Sequence, residues 1–286
     1  MLDSHVHLWD LGVRDQAWIS AGSPLRRSFD VGDLRAALAG TPVDGVILVQ
    51  ASNDVGETTD LISCAWREDL IRGVVGWADL RSPDFPGALA TLTATGELLG
   101  LRHQALAEAD PAGWLRSPAV RRGLAVLQTA GLPFDLMIRP AHFPAALRTV
   151  REHPALQFVL DHLGKPPIAS GELEPWAAGI RSLAAEPNVA CKLSGLQTIA
   201  SAAWTRAELA PYVDVALDAF GPGRLIFGSD WPVCTPAASY SRVCQVAQSA
   251  CSGLSAPERA AVLAGNARAV YRTHCPQPPR PILYES

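Results

Sequence analysis

The chain has 286 residues, 48% of them hydrophobic, and a formal net charge of -4. That length supports one large core of the α/β-barrel class, and mild acidity without a basic stripe argues against a nucleic-acid partner. No apolar run reaches the length of a membrane span, strand-like sequence from Leu2 leaves no room for a secretory leader, and six cysteines without C-x-x-C pairing read as free thiols. The expected compartment is therefore the cytoplasm.

The first apolar run, Leu2–Leu8, holds Asp3, His5 and His7. Side chains alternate along a strand, so His5 and His7 share a face, where they suit one metal ion or one substrate oxygen. Alone, the pair is weak evidence. A helix is predicted over Val31–Ala39, then a strand over Gly45–Ala51 that reaches Gln50. The strand Gly73–Leu80 carries Trp77 and Asp79 near its end. The strand Leu98–His103 ends in Arg102 and His103. Ser117–Ala130 reads as helix, and the strand Pro133–Ile138 runs into Arg139. After a helix at Phe143–Glu152, the strand Leu156–Leu163 brings Asp161 and His162, with Lys165 just beyond. A helix at Leu173–Ala185 precedes the strand Val189–Leu196, which sets Lys192 and Ser194 on one face. The last pair is a helix at Arg206–Phe220 and a strand at Arg224–Trp231, reaching Ser229 and Asp230. Tyr240–Ala250 and a closing helix or helix pair over Ser255–Arg272 follow, with Ser255 as cap and Glu258 three residues on. Gly or Pro marks many helix ends. Residues 273–286 are proline-rich and are expected to form a tail on or beyond the barrel.

Eight apolar runs alternating with helical stretches imply βα units and right-handed crossovers, hence a single (β/α)8 barrel over residues 1–272. A doubly wound open sheet is the runner-up, weakened because no G-x-G-x-x-G follows an early strand. In a barrel the chemistry lies at the C-terminal strand ends. Polar residues gather there: His5, His7, Gln50, Trp77, Arg102, His103, Asp161, His162, Lys165, Lys192 and Asp230. Of 24 basic residues only Lys165 and Lys192 are lysine, and both fall in this set. Lysine is a compact charge with a tunable pKa, which arginine is not. Asp161 reads as a loop cap or backbone partner, Asp3 as a buried support, Trp77 and Trp231 as packing or as sugar-stacking rings. Asp230 has the strongest functional reading, because an unpaired buried carboxylate is costly.

Four motifs carry a resemblance: His5-Val-His7-Leu-Trp9-Asp10, Leu160-Asp-His162-Leu-Gly-Lys165-Pro-Pro, Cys191-Lys192-Leu-Ser-Gly-Leu196 and Phe227-Gly-Ser-Asp230-Trp-Pro232. Together they resemble the amidohydrolase superfamily, in its sugar-lactonase branch of L-fuconolactonase- and L-rhamnono-lactonase-like proteins. Val49-Gln-Ala51, Gly73-Val-Val-Gly-Trp77, Gly100-Leu-Arg-His103 and Gly265-Asn-Ala267 extend it to about residue 272. The resemblance implies a barrel with its site at the strand C-termini. Binuclear members add a bridging lysine or glutamate on strand four and a histidine on strand five. Here strand four ends in Arg102-His-Gln104 and strand five has no histidine, so a two-metal centre is not expected. One divalent ion, Zn2+ or Mn2+, on His5, His7 and Asp230, with His162 as a further ligand, remains open beside a metal-free site. No organic cofactor is expected.

The implied reaction is hydrolysis of a sugar-acid lactone. Asp230 is the candidate base for the attacking water, His5 and His7 the oxyanion partners, His162 or Lys192 assistants there. Arg102, His103, Gln50, Lys165, Trp77 and Trp231 are the candidate substrate-binding residues. The alternatives are a hydrolase of a dicarboxylate lactone, a metal-dependent decarboxylase, or a non-catalytic binding barrel. The partner is a small molecule; oligomeric state is not legible.

Overall fold

A computed structural model describes residues 1–273, so all of the expected tail but Thr273 lies outside the described residues. Eight parallel strands follow one another around one sheet in sequence order. They are β1 (Leu2–Val6), β2 (Gly45–Val49), β3 (Ile71–Gly76), β4 (Leu98–His103), β5 (Phe134–Leu136), β6 (Phe158–Leu160), β7 (Val189–Leu193) and β8 (Leu225–Phe227). The ring closes where Val6 bridges Trp231, Asp230 N–H donates to the His5 carbonyl at 2.9 Å, and His7 N–H donates to the Trp231 carbonyl at 2.7 Å. The fold is a (β/α)8 barrel. Its crossover helices are α1 (Val31–Leu38), α2 (Val55–Ala65), α3 (Phe85–Thr93), α4 (Pro111–Arg116), α5 (Pro118–Ala130), α6 (Phe143–Glu152), α7 (Trp176–Ala184), the short α8 (Leu196–Ile199), α9 (Arg206–Phe220) and α10 (Tyr240–Ala250). No helix among the described residues is long and apolar enough to cross a membrane.

Several strands are shorter than the apolar runs. The chain leaves the sheet after Leu160 because the backbone of residues 162–165 turns left-handed, and Asp230 does the same after β8 with φ +60°. The runs thus include site residues that only flank the strands. Helices α2 and α3 are hard to read because Gly56, Thr58 and Thr59, or Pro86 and Gly87, dilute their helical pattern. Asp54 starts α2 by accepting from the Gly56 and Glu57 amides. The closing segment is α11 (Ala256–Ala260), a π-turn over Ala261–Gly265, and α12 (Asn266–Tyr271). Its start is the expected capping box between Ser255 and Glu258.

Alternation along β5 to β8 divides two environments. Phe134, Leu136, Phe158, Leu160, Cys191, Leu225 and Phe227 join the large core shared with the helices. Val159, Ala190 and Ile226 instead join Leu2, Ile47, Val75 and Leu99 inside the barrel, where Tyr271 of α12 packs among them. Burial of each such aliphatic side chain stabilises by about 1.5–3 kcal/mol. On the same inward parity stand Asp135, Asp161 and Lys192, all 0% exposed. The barrel interior is therefore apolar toward its N-terminal end and charged toward the other.

Candidate active site

Asp230 is held by the residues around it. Its own N–H ties to β1, and its Oδ1 faces His7 Nε2 at 3.4 Å and His5 Nε2 at 3.8 Å. Burial alone would raise this carboxyl, but the His162, His7 and His5 rings hold it well below the ordinary carboxylate range. His7 Nδ1 lies 2.7 Å from the Val49 carbonyl, which fixes the proton there and leaves the Nε2 lone pair toward Asp230. His5 lies between the other two rings, its centroid 4.9 Å from His7 and 4.5 Å from His162.

His162 to Lys165 form four consecutive left-handed residues, closed by Lys165 N–H to the His162 carbonyl at 2.9 Å. In a turn of this period, residues three apart eclipse, so His162 and Lys165 both face the same cavity. Such backbone is costly for non-glycine residues and is found where function requires it. His162 Nδ1 is 2.8 Å from Ser194 Oγ, and burial pushes this ring down to about 4, so it is neutral near pH 7. Gly195 is required here: a Cβ would stand 2.8 Å from His162 Nδ1 and 3.0 Å from Asp230 Oδ2.

The cavity has a volume of about 270 Å³. His7, Arg102, His162, Lys165 and Asp230 line its polar side, and Trp18, Leu106, Met137 and Val233 much of the rest. Gln104 and Arg139 also reach it. Lys165 and Arg139 have no ion pair among the described residues, while burial lowers the Lys165 ammonium.

Below the cavity is a balanced set of charges. Arg102 reaches Asp161 Oδ2 at 3.2 Å, His5 Nε2 at 3.1 Å and the Gln50 carbonyl. Lys192 Nζ lies 2.6 Å from Asp135 Oδ2 and 3.2 Å from Asp161 Oδ1. Burial raises both carboxyls. Lys192 and His5, then Arg102, pull Asp161 well below the usual range, whereas Asp135 is pushed up to about 6. Two cations against two carboxylates avoid an isolated buried charge. Burial and the nearby Lys192 push His5 well below its ordinary value, so its ring is neutral.

The structure brings His7, His162, Asp230, Arg102 and Lys165 together as one wall of the cavity, with His5 fully buried behind them. Gln50 lies behind it, its amide donating to the Arg102 carbonyl at 3.1 Å. Lys192 contacts His5 but does not line the cavity. Trp77 and His103 bond each other at 2.9 Å, and His103 stacks on Trp114 with centroids 4.0 Å apart. Trp231 is buried edge-on against Phe29. None of these three lines the cavity. The indole that does is Trp18, in the loop of residues 7–30, anchored by Gln16 Oε1 at 2.8 Å and the Ala51 carbonyl at 3.2 Å. Loop residues carry no strand parity, so nothing in the sequence pattern singled it out. Asp135 and Tyr271 were also not legible: one lies mid-strand, the other in the closing helix.

His5, His7 and Asp230 present three ligand atoms within 4.8 Å of one another, and His5, Asp161 and His162 do likewise. The first set fits a single divalent cation: two imidazoles and a carboxylate, with the His7 tautomer already fixed by a second bond. His5 Nε2 is shared with Arg102.

The sequence matches the amidohydrolase family over residues 2–273. It is 37% identical to an L-fucono-1,5-lactonase of Burkholderia ambifaria over 282 residues, 96% of each chain. It is 39% identical to an L-fucono-1,5-lactonase of Burkholderia multivorans, covering 94% of this chain and 95% of that one. A crystal structure of a Burkholderia multivorans amidohydrolase with bound zinc superposes with a TM-score of 0.89 at 38% identity, covering 96% of this chain and 99% of that one. With a match that spans the described barrel from β1 to the closing helix, the chain belongs to the amidohydrolase family.

Proposed function

We propose that the protein is a lactonase that opens a sugar-acid lactone, of the type acted on by the L-fucono-1,5-lactonases it resembles. The observation that carries this reading is the ionised Asp230 at the mouth of the barrel, flanked by three imidazoles and facing a cavity of about 270 Å³. A small cyclic ester is a suitable occupant: the polar side meets its oxygens, and Trp18, Leu106, Met137 and Val233 meet its C–H face.

Asp230 accepts a proton from water as the water oxygen bonds to the lactone carbonyl carbon. His7 and His162 then border the developing oxyanion, with the Lys165 ammonium on the same side. Collapse breaks the bond to the ring oxygen, which takes the proton from Asp230 and leaves a hydroxy acid. The acid ionises, and its carboxylate meets Lys165 and Arg139. A carboxylate held this low is a weak base, so the reaction needs the carbonyl to be strongly polarised. A divalent ion on His5, His7 and Asp230 would supply Lewis-acid polarisation when bound.

A second reading rests on Lys165 and Arg139, the two cavity cations without ion-pair partners among the described residues. They favour a lactone bearing an additional carboxylate. A panel of neutral and anionic lactones, run with and without chelator and with products identified by mass, tests both. Ring opening of neutral lactones supports the first reading. Turnover confined to anionic lactones supports the second, and no opening of any lactone refutes both.

A further inference from the structure

Trp18 brings an indole into the cavity from a loop, and two acceptors hold its N–H: Gln16 Oε1 at 2.8 Å and the Ala51 carbonyl at 3.2 Å. Both acceptors lead back to one side chain, Glu57 in the first turn of α2. Glu57 Oε2 accepts from the Ala51 N–H at 2.9 Å and the Ser52 N–H at 2.8 Å, which fixes the turn that carries the Ala51 carbonyl. Glu57 Oε1 faces Gln16 Nε2 at 3.4 Å. The Ala51 carbonyl also accepts from Gln104 Nε2 at 2.6 Å, so a second cavity residue depends on this turn. Glu57 and Gln16 are buried, and neither lines the cavity.

The polarity of this chain of contacts is fixed at both ends. An indole N–H only donates and a carboxylate only accepts, whereas the amide between them has one end of each kind. Trp18 needs the Gln16 oxygen, and Glu57 needs the Gln16 NH2. An amide turned the other way would set its NH2 against the indole N–H and its oxygen against the carboxylate. The groups bonded to the Glu57 oxygens are three N–H donors, and the N-terminus of α2 favours negative charge there. Burial raises the carboxyl, and the Ser52 and Ala51 amides oppose that rise. The 3.4 Å contact is long for a hydrogen bond, so Glu57 acts on Gln16 chiefly through the sign of its charge.

We propose that Glu57 is a positioning residue that acts through Gln16 on Trp18, turning the Gln16 amide so that its oxygen meets the indole N–H. The indole then stands as a fixed wall of the substrate cavity. Helix α2 thereby sets how tightly substrate binds without touching it, and the loop of residues 7–30 takes its place in the site from a charge on the neighbouring βα unit.

The effect on KM rests on the lactonase reading, so the test uses two readouts: lactone kinetics, and the indole N–H signal of Trp18 in 1H–15N NMR, assigned with Trp18→Phe. Glu57→Gln keeps an oxygen for the Ala51 and Ser52 amides but presents an NH2 to Gln16, which turns that amide and takes the acceptor from Trp18. Its KM is expected to rise about fivefold with kcat within threefold, and the Trp18 signal to move. Gln16→Glu alone sets two carboxylates against each other and should raise KM likewise. The exchanged pair, Glu57→Gln with Gln16→Glu, restores the polarity: the new carboxylate accepts from Trp18 and from the new amide. Its KM should return to within twofold of wild type, and the Trp18 signal should again be that of a bonded N–H. Should Glu57→Gln not fold, Gln16→Leu, which removes the acceptor and leaves Glu57 on its two amides, should give the same rise in KM and the same shift. A wild-type KM and Trp18 signal in the single variants would overturn the proposal, as would an exchanged pair no better than Glu57→Gln. If wild-type protein opens no lactone, the functional reading fails, and the Trp18 signal still decides the positioning role.

Discussion

His7 Nε2 stands 3.4 Å from Asp230 Oδ1, joining the residue after the first strand of the barrel to the turn that follows the last. Because His7 Nδ1 is engaged by the Val49 carbonyl, the free lone pair and the carboxylate share one small volume. That arrangement suits a cation as well as a water molecule.

Zinc titration followed by calorimetry should therefore show one site per chain. Asp230→Asn and His7→Ala should each weaken it by at least tenfold. Two equivalents bound with similar affinity would contradict the mononuclear reading, as would affinity unchanged in both variants.

The buried charges make a stability prediction. Lys192→Met removes one cation and leaves Asp135 and Asp161 facing each other without the shared ammonium. Breaking a buried pair in this way costs about 3–5 kcal/mol. Denaturant unfolding of the variant should show a loss of that order. A change under 1 kcal/mol would mean that the charges are not balanced as described.

Trp18 lines the cavity from a loop and lies 45% exposed. Trp18→Ala should raise KM roughly tenfold, about 1.4 kcal/mol of binding, and leave kcat within about threefold. Trp77→Ala and Trp231→Ala should not reproduce that pattern, since neither side chain lines the cavity. An unchanged KM in Trp18→Ala would remove the indole from the substrate wall.

Burial pushes both His103 and His162 down to about 4. An unfolded histidine titrates near 6.5, so between about 4 and 6.5 the unfolded chain binds protons that the folded chain does not. Stability is then lost as pH falls through that window and is fully present above it, with a slope of up to about 1.4 kcal/mol per pH unit for each ring. Unfolding free energies measured from pH 4 to 7 should show this, and His103→Gln should give a shallower slope. Equal slopes would mean that His103 titrates like an exposed ring.

The eight strands were legible because inward and outward faces are both apolar at the level of the core, giving unbroken runs such as Leu225–Phe227. The site was legible wherever its residues lie at strand ends: His5, His7, Arg102, His162 and Asp230. Parity also put Lys192 and Ser194 on one face of their strand, but not their depth, and Lys192 stands behind His5 rather than in the cavity. Trp77 and His103 show the limit of the strand-end rule. Both lie at the ends of their strands, yet they pair with each other, and His103 stacks on Trp114 outside the cavity. Trp18 and Tyr271 were out of reach because a loop and a closing helix place side chains by tertiary contacts, not by a period.

The most direct measurement is the rate of L-fucono-1,5-lactone opening by wild-type protein and by Asp230→Asn, compared at matched folded concentration. The expected result is efficient opening by the wild type and a kcat at least a thousandfold lower in Asp230→Asn, roughly 4 kcal/mol of lost transition-state stabilisation, with the unfolding transition intact. Asp230→Asn turning over at the wild-type rate would contradict the role given to Asp230, and a wild type inert toward every lactone would contradict the function itself.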